Sequence, residues 1–228
     1  MSLYLVSTPI GNLADITQRA VETLKRASII AAEDTRSARR LLAALNLSAQ
    51  GKQLVSYGEH NEAAMAPRLA EQLKANAEIA LISEGGTPLV SDPGYRLVQA
   101  AIACGAAVVP VPGPSAVLAA LAGSGLPVHG FLFRGFLPRK PGARRRVLES
   151  LQGREETLIF YEAPPRLAGL LAELVQVYGA QRPACLAREL TKLHETFLRL
   201  PLGELAQRVA QETPRGECTV LVAGAKGF

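Results

Sequence analysis

Short runs of aliphatic residues alternate with amphipathic stretches of helical length along the first half of the chain. Leu3–Ser7 predicts a first strand, and Ile16–Arg26 predicts a helix with Asp15 as its N-cap. Further strands are predicted at 28–32, 54–56, 78–83 and 107–111, and further helices at 35–45, 61–75 and 94–104. This β-α-β alternation predicts a mainly parallel sheet with helices on both faces.

The segment Pro110–Pro114 is the candidate domain joint, because its prolines and glycine interrupt any regular element. Beyond it the alternation resumes, with strands predicted at 131–135, 157–161, 184–189, 195–200 and 218–223 and helices at 115–122, 164–178 and 202–212. We therefore expect an α/β protein of two α/β domains, 1–112 and 113–228, with mainly parallel sheets and a cleft at their joint.

Composition narrows the class of protein. Of 228 residues, 48% are apolar and 20% are charged, which is typical of a folded globular chain, and the net charge of +5 is compatible with a polyanionic partner. Residues 97–133 carry no formal charge, but glycines and prolines cut them into pieces too short to span a membrane.

The N-terminus lacks a secretory signal, and the three cysteines are widely separated. We expect a cytoplasmic, metal-free protein.

Three loops rich in Gly, Pro, Ser and Thr follow predicted strands, at 7–13, 83–94 and 112–116. Open α/β sheets bind ligands at the carboxyl ends of their strands, so three such loops predict a binding site. The first loop lacks the Gly-x-Gly-x-x-Gly spacing, and the phosphate-binding pattern Gly-x-x-x-x-Gly-Lys-Ser/Thr occurs nowhere in the chain. The sequence therefore lacks the motifs that usually indicate binding of a dinucleotide or a nucleoside triphosphate.

Seven motifs in this order resemble the ribosomal RNA ribose methyltransferases of the tetrapyrrole methylase superfamily. They are Thr8–Thr17, Glu33–Arg36, Gly86–Gly94, Pro112–Ser115, Gly135–Pro138, Phe160–Pro164 and Arg188–Lys192. The resemblance covers Leu3 to about Val222. Two positions depart from the family pattern, since Glu84 replaces an aspartate and Pro165 a histidine.

The resemblance implies 2′-O-methylation of a cytidine ribose in the decoding region of 16S rRNA, with S-adenosylmethionine in the interdomain cleft of a homodimer. It implies cofactor contacts at Thr8, Pro9, Thr87, Leu89, Val90, Ser115, Ala116, Tyr161 and Ala187. Plain loop packing is the alternative for Pro9, Leu89 and Ala116. The alternative functions are methylation of a tetrapyrrole or other small molecule, and RNA binding without catalysis.

Carboxylates at strand ends are candidates for accepting the ribose hydroxyl proton. Glu33, Asp34 and Glu189 are the chosen catalytic candidates, with Glu59 and Asp92 also considered. Asp34 has an alternative role as a helix N-cap.

A basic segment indicates an RNA partner. Seven basic residues and one acid, Glu149, lie between 134 and 154. This local excess predicts a surface that follows phosphates, although a solvated charged face is the alternative. The predicted RNA contacts are Arg36, Arg139, Lys140, Arg144, Arg145 and Arg146. In this region Phe131, Phe133 and Phe136 are the aromatic residues that could stack on bases.

Overall fold

The computed structural model describes residues 1–212 and 214–226. The chain forms two compact units, Met1–Ser115 and Ala116–Phe228. This boundary lies three residues after the predicted one, which divided the chain into 1–112 and 113–228.

The first unit is built on a five-stranded parallel sheet with strand order β3-β2-β4-β1-β5. Its strands are β1 (Ser2–Val6), β2 (Ile29–Ala32), β3 (Gln53–Ser56), β4 (Glu78–Ile82) and β5 (Ala107–Val111). Its helices are α1 (Gln18–Arg26), α2 (Thr35–Ala44), α3 (Glu62–Lys74) and α4 (Tyr95–Ala103), and a short 3-10 helix spans Leu13–Asp15. The parallel sheet predicted for this half is confirmed.

Alternation along the strands builds two cores. Leu3 packs with residues of α3 and α4, whereas Tyr4 packs with residues of α1 and α2. Successive side chains point to opposite faces of a sheet, so each face receives one pair of helices. The prediction of Asp15 as the N-cap of α1 is wrong: the Thr17 hydroxyl accepts a hydrogen bond from Ala20 N–H and caps the helix instead.

The second unit has a mixed five-stranded sheet with strand order β6-β7-β10-β8-β9. Its strands are β6 (Phe131–Phe136), β7 (Thr157–Glu162), β8 (Pro183–Arg188), β9 (Thr196–Pro201) and β10 (Cys218–Val222). Its helices are α5 (Ala116–Ser124), α6 (Pro141–Leu151), α7 (Pro164–Tyr178) and α8 (Leu202–Gln211). Residues of α6, α7 and α8 form one core with Leu158 and Phe160.

The expectation of parallel strands needs correction in this second sheet. β6 and β7 pair in parallel, but β10 pairs antiparallel with both β7 and β8, and β8 pairs antiparallel with β9. The short turn between β8 and β9 reverses the chain direction, as a hairpin connection must. β10 then inserts between β7 and β8, which run in the same direction and would otherwise be neighbours.

Within residues 1–212 and 214–226, no helix is long and apolar enough to cross a membrane. The uncharged stretch 97–133 instead contains parts of α4 and β6 and the whole of β5 and α5, as its glycines and prolines predicted.

Candidate functional site

The three predicted loops meet at the carboxyl edge of the first sheet. Thr8 N–H donates to Gly86 O and Gly86 N–H donates to Thr8 O, both at 2.9 Å. Ser7 N–H donates to Val111 O at 3.2 Å, which ties the start of the first loop to the end of β5. Because all five strands are parallel, their carboxyl ends share one edge, and the loops after β1, β4 and β5 form one assembly.

Side chains reinforce this assembly. The Ser7 hydroxyl lies 3.0 Å from the Thr87 hydroxyl, which donates to Pro114 O at 3.2 Å. A Cβ at Gly113 would lie 3.0 Å from Ser7 Cβ. A glycine at this position therefore allows the loop after β5 to lie this close to the end of β1. Ser7 was not among the predicted site residues, although it opens the first predicted loop.

The loop after β4 holds an unusual backbone. Leu89 has φ 71° and Ser91 has φ 68°, both in the left-handed region that L residues rarely occupy. The Leu89 side chain packs against the core below α3 and α4, and Val90 N–H donates to Thr87 O at 3.3 Å. Packing against this core thus accounts for the position of the Leu89 side chain.

Glu33, which directly follows β2, lines a small cavity of mixed polar and apolar residues. The cavity measures about 50 Å³ and is lined by Thr8, Pro9, Ala32, Glu33, Asp34, Ser37, Ala38, Leu41, Ile82, Ser83 and Glu84. Thr8 Oγ1 and Glu33 Oε1 are both buried and make no hydrogen bond with another described residue. A space of this size holds a few waters or one polar group of a ligand.

The surroundings of Glu33 favour its protonated form. Burial raises the pKa of Glu33, and the carboxylates of Asp92 and Glu84 raise it further. Burial likewise raises the pKa of Asp92. The carboxyl edge of this unit therefore carries a concentrated negative field around a partly desolvated carboxyl group.

Asp34 is engaged as a helix cap. Its Oδ1 accepts a hydrogen bond from Arg36 N–H at 2.7 Å, and its Oδ2 lies 3.0 Å from Arg36 Nη2. The hydrogen bond from the Arg36 side chain is the main cause that lowers the pKa of Asp34. These contacts give Asp34 the capping role considered from the sequence and hold the exposed Arg36 beside it.

The candidates in the second unit lie on β7 and β8. Tyr161 contacts the rings of Phe133 and Phe136, and Ala187 is buried in β8. Glu189 Oε1 accepts hydrogen bonds from Lys192 Nζ at 2.9 Å and from Glu217 N–H at 3.0 Å.

The hydrogen bond from Lys192 is the main cause that lowers the pKa of Glu189. An ion-paired carboxylate with a low pKa is a weak proton acceptor, so Glu189 suits a structural role better than a catalytic one.

The predicted basic residues divide by burial. Arg144 is 6% exposed and forms a bidentate pair with Glu173, with N···O distances of 2.6 and 2.8 Å. Arg145 contacts Glu149 at 2.9 Å, and Arg146 Nε donates to a backbone carbonyl. Arg139 and Lys140 are exposed and form no ion pair within the described part of the chain.

The two departures from the family pattern occupy tolerant places. Pro165 lies in the first turn of α7, where the missing N–H leaves no helical bond unmade. Glu84 is exposed and faces the cavity that contains Glu33. No group of His, Cys, Asp and Glu within residues 1–212 and 214–226 is arranged to hold a metal ion.

The fold and its strand-end loops define a methylase of the tetrapyrrole type. The family described as Tetrapyrrole (Corrin/Porphyrin) Methylases matches residues 2–206. Among solved structures, uroporphyrin-III C-methyltransferase from Thermus thermophilus complexed with S-adenosyl homocysteine is similar with TM-score 0.67 and 22% identity, covering 97% of both chains. The methyltransferase CobJ is similar with TM-score 0.71 and 20% identity, covering 98% of this chain and 94% of that one.

Curated relatives are much more similar in sequence. Proteins named ribosomal RNA small subunit methyltransferase I are 50% identical in Micromonospora olivasterospora, covering 98% of this chain and 70% of the relative, and 48% identical in Pseudomonas aeruginosa, covering 98% and 79%. The chain belongs to the family of ribosomal RNA small subunit methyltransferase I, within the tetrapyrrole methylases. The predicted α/β methyltransferase class is confirmed.

Proposed function

We propose that this protein methylates the 2′-hydroxyl of a cytidine ribose in the decoding region of 16S rRNA, with S-adenosylmethionine as the donor. The observation that carries the reaction is the buried Glu33 oxygen without a partner, beside Thr8 in the cavity at the sheet edge. The relatives named for ribosomal RNA support the class of substrate.

The residues at this edge fit the cofactor chemically. S-adenosylmethionine supplies a methyl group on a positively charged sulfonium and also carries an ammonium group. The negative field of Glu33, Glu84 and Asp92 suits both cations. The bent loop backbones and the unpartnered Thr8 hydroxyl provide hydrogen-bonding groups for the polar parts.

We assign cofactor binding in the first unit to Thr8, Pro9, Thr87, Leu89, Val90 and Ser115, with Leu89 acting through its backbone. In the second unit, Ala116, Tyr161 and Ala187 are proposed as cofactor contacts because the family resemblance implies them.

Glu33 is the proposed proton acceptor. Methyl transfer to a hydroxyl is an in-line displacement, and a positioned base that takes the hydroxyl proton typically contributes about 10²–10⁴-fold. A raised pKa makes the ionised Glu33 a better base than an exposed carboxylate. Asp34 and Glu189 are not proposed as the proton acceptor, because Asp34 is ion-paired with Arg36 and Glu189 with Lys192.

The RNA surface is assigned to exposed basic residues. Arg36, Arg139, Lys140, Arg145 and Arg146 are exposed and form the set that could follow phosphates. Arg144 is left out of this set, because its pair with Glu173 neutralises and buries its charge.

We also propose a homodimer located in the cytoplasm, as the family resemblance implies. Exposed apolar side chains of the second unit, such as Leu118 and Val128, support a contact between copies. Light scattering of the purified protein tests the dimer.

The decisive experiment supplies radiolabelled S-adenosylmethionine and small ribosomal subunits from a strain that lacks this gene. We expect one 2′-O-methylcytidine after nuclease digestion and mass spectrometry, and we expect Glu33→Gln to lose at least about 100-fold in rate at saturating cofactor. Uroporphyrinogen III replaces the subunits in a parallel reaction. Methylation there and none on rRNA would favour the small-molecule alternative.

A further inference from the structure

The edge strand β6 contains a bulge that places its aromatic residues on one face. Phe133 pairs with Ile159, the register then shifts, and Phe136 pairs with Tyr161. Side chains alternate between faces along a strand, so residues three apart normally lie on opposite faces. The extra residue, Arg134, reverses that parity and brings Phe136 to the same face as Phe133.

The resulting aromatic face is partly open to solvent. The Phe133 and Tyr161 rings lie 4.9 Å apart, and the Phe136 and Tyr161 rings lie 5.5 Å apart. Phe136 is 59% exposed and Phe131, on the same face, is 43% exposed. Exposed aromatic rings held in place by a neighbouring ring offer a flat surface at low entropic cost.

Basic residues lie in and directly after the same strand. Arg134 lies in the bulge, and Arg139 and Lys140 follow β6 directly. All three are exposed, and none forms an ion pair with any residue of 1–212 and 214–226. Rings beside unneutralised cations match a single-stranded nucleic acid, whose bases stack while its phosphates contact the basic groups.

We propose that the β6 aromatic face, formed by Phe131, Phe133, Phe136 and Tyr161, stacks an unpaired base of the RNA substrate, with Phe136 as the outermost ring. The inference rests on the proposed function and adds a base-stacking site to it. The stacked base fixes the RNA by its π-face, and Arg139 and Lys140 hold adjacent phosphates.

The chain contains no tryptophan, which allows a direct test. Phe136→Trp introduces a single tryptophan that still stacks, and Ile102→Trp introduces one at a matched exposure of 57% on α4. Excitation at the red edge of the absorption band selects tryptophan over the five tyrosines. Transcribed 16S rRNA should quench Phe136→Trp and leave Ile102→Trp unchanged after the same correction for absorbance.

Affinity for small ribosomal subunits gives the second measurement. We expect Phe136→Leu to bind subunits about tenfold more weakly and Phe136→Trp to bind within about twofold of the unchanged protein. Thermal unfolding of all variants checks that they fold alike.

Equal affinity of Phe136→Leu and the unchanged protein for subunits would overturn the proposal, even if methylation proceeds. Loss of dimers in Phe136→Leu, measured by light scattering, would instead assign this face to a contact between two copies. If the unchanged protein binds subunits but does not methylate them, the proposed function fails, and the affinity of Phe136→Leu still tests the stacking site. If the unchanged protein does not bind RNA, both proposals are rejected.

Discussion

Glu62 Oε2 lies 3.4 Å from the backbone nitrogen of Gly94, so a carboxylate on α3 accepts a hydrogen bond from the N-cap residue of α4. The Tyr57 hydroxyl donates to the same oxygen at 3.4 Å, and Arg96 Nε lies 3.3 Å from the other one. One side chain of a neighbouring helix therefore anchors the far end of the loop that contains Thr87–Asp92. Sequence patterns did not identify Glu62, because its role depends on a contact between distant segments.

Removal of this anchor should affect both folding and cofactor binding. Glu62→Ala leaves the Gly94 N–H and the buried Tyr57 hydroxyl without their acceptor, so we expect a loss of about 1–3 kcal/mol in the free energy of unfolding. Calorimetric titration should also find weaker S-adenosylmethionine binding. Glu71→Ala, on the exposed side of the same helix, is the matched control and should change neither quantity. Unchanged cofactor affinity in Glu62→Ala would show that Glu62 stabilises the fold but does not support the cofactor site.

Glu33 should show opposite effects on stability and activity. Its pKa is raised in the folded protein, so the folded state binds a proton more tightly than the unfolded chain, and stability falls as pH rises from the unfolded pKa through the folded one. Glu33→Gln removes this ionisation, so we expect a higher melting temperature than the unchanged protein at pH 8 and a smaller difference near pH 4.

The control for Glu33 is Glu22→Gln, an exposed change on α1 that should alter neither melting temperature nor rate. Methyl transfer by Glu33→Gln should fall by about 10²–10⁴-fold at pH 8, and the difference should shrink at low pH, where Glu33 of the unchanged protein becomes protonated. A variant that is more stable at pH 8 but fully active would confirm the buried carboxyl group and reject it as the base.

Local patterns predicted the first unit well because its elements obey local rules. Each β-α-β connection joins strands that run in the same direction, and the loops after β1, β4 and β5 converge as their positions at strand ends required. The place of β10 in the second sheet was beyond such patterns, since strand order depends on pairing between distant segments.

The candidate site was predicted in part. Glu33 stood at a strand end beside apolar residues, and that position led to its selection. The burial of Arg144 was missed among three consecutive arginines, although Leu148 and Leu151 follow it at helical spacing on the buried face of α6. Helical periodicity was the available signal, and the charge count obscured it.

Gly86, in the loop after β4, has a backbone conformation that the site needs and that glycine adopts readily. Its φ of +90° is strained for any L side chain, and a Cβ there would lie 3.3 Å from the side chain of Ile10. Gly86→Ala should lower the free energy of unfolding by about 1–3 kcal/mol and weaken cofactor binding, because Gly86 is bonded to Thr8.

Gly51→Ala separates strain from the site. Gly51 has φ +78° with nothing within 4 Å of an added Cβ, so this variant should lose stability but keep its cofactor affinity. Equal loss of affinity in both variants, measured by titration at one temperature, would show that the effect of Gly86→Ala is global.

Arg144, paired with Glu173 in the interior, is expected to stabilise the fold, whereas the exposed Arg146 is expected to contact RNA. Side-chain exposures of 8% and 16% leave little water to replace a lost partner, so Arg144→Ala should destabilise the protein by about 3 kcal/mol. Arg146→Ala, on the exposed surface of the same helix, should leave the melting temperature unchanged and weaken salt-dependent binding to small ribosomal subunits.

The double variant Arg144→Met with Glu173→Met replaces both charges by apolar groups and should recover part of the lost stability, because no unpaired charge remains buried. Chemical denaturation of the four proteins, with subunit binding measured at two salt concentrations, gives both readouts. A stable Arg144→Ala variant with weakened RNA binding would restore Arg144 to the RNA surface and contradict its structural role.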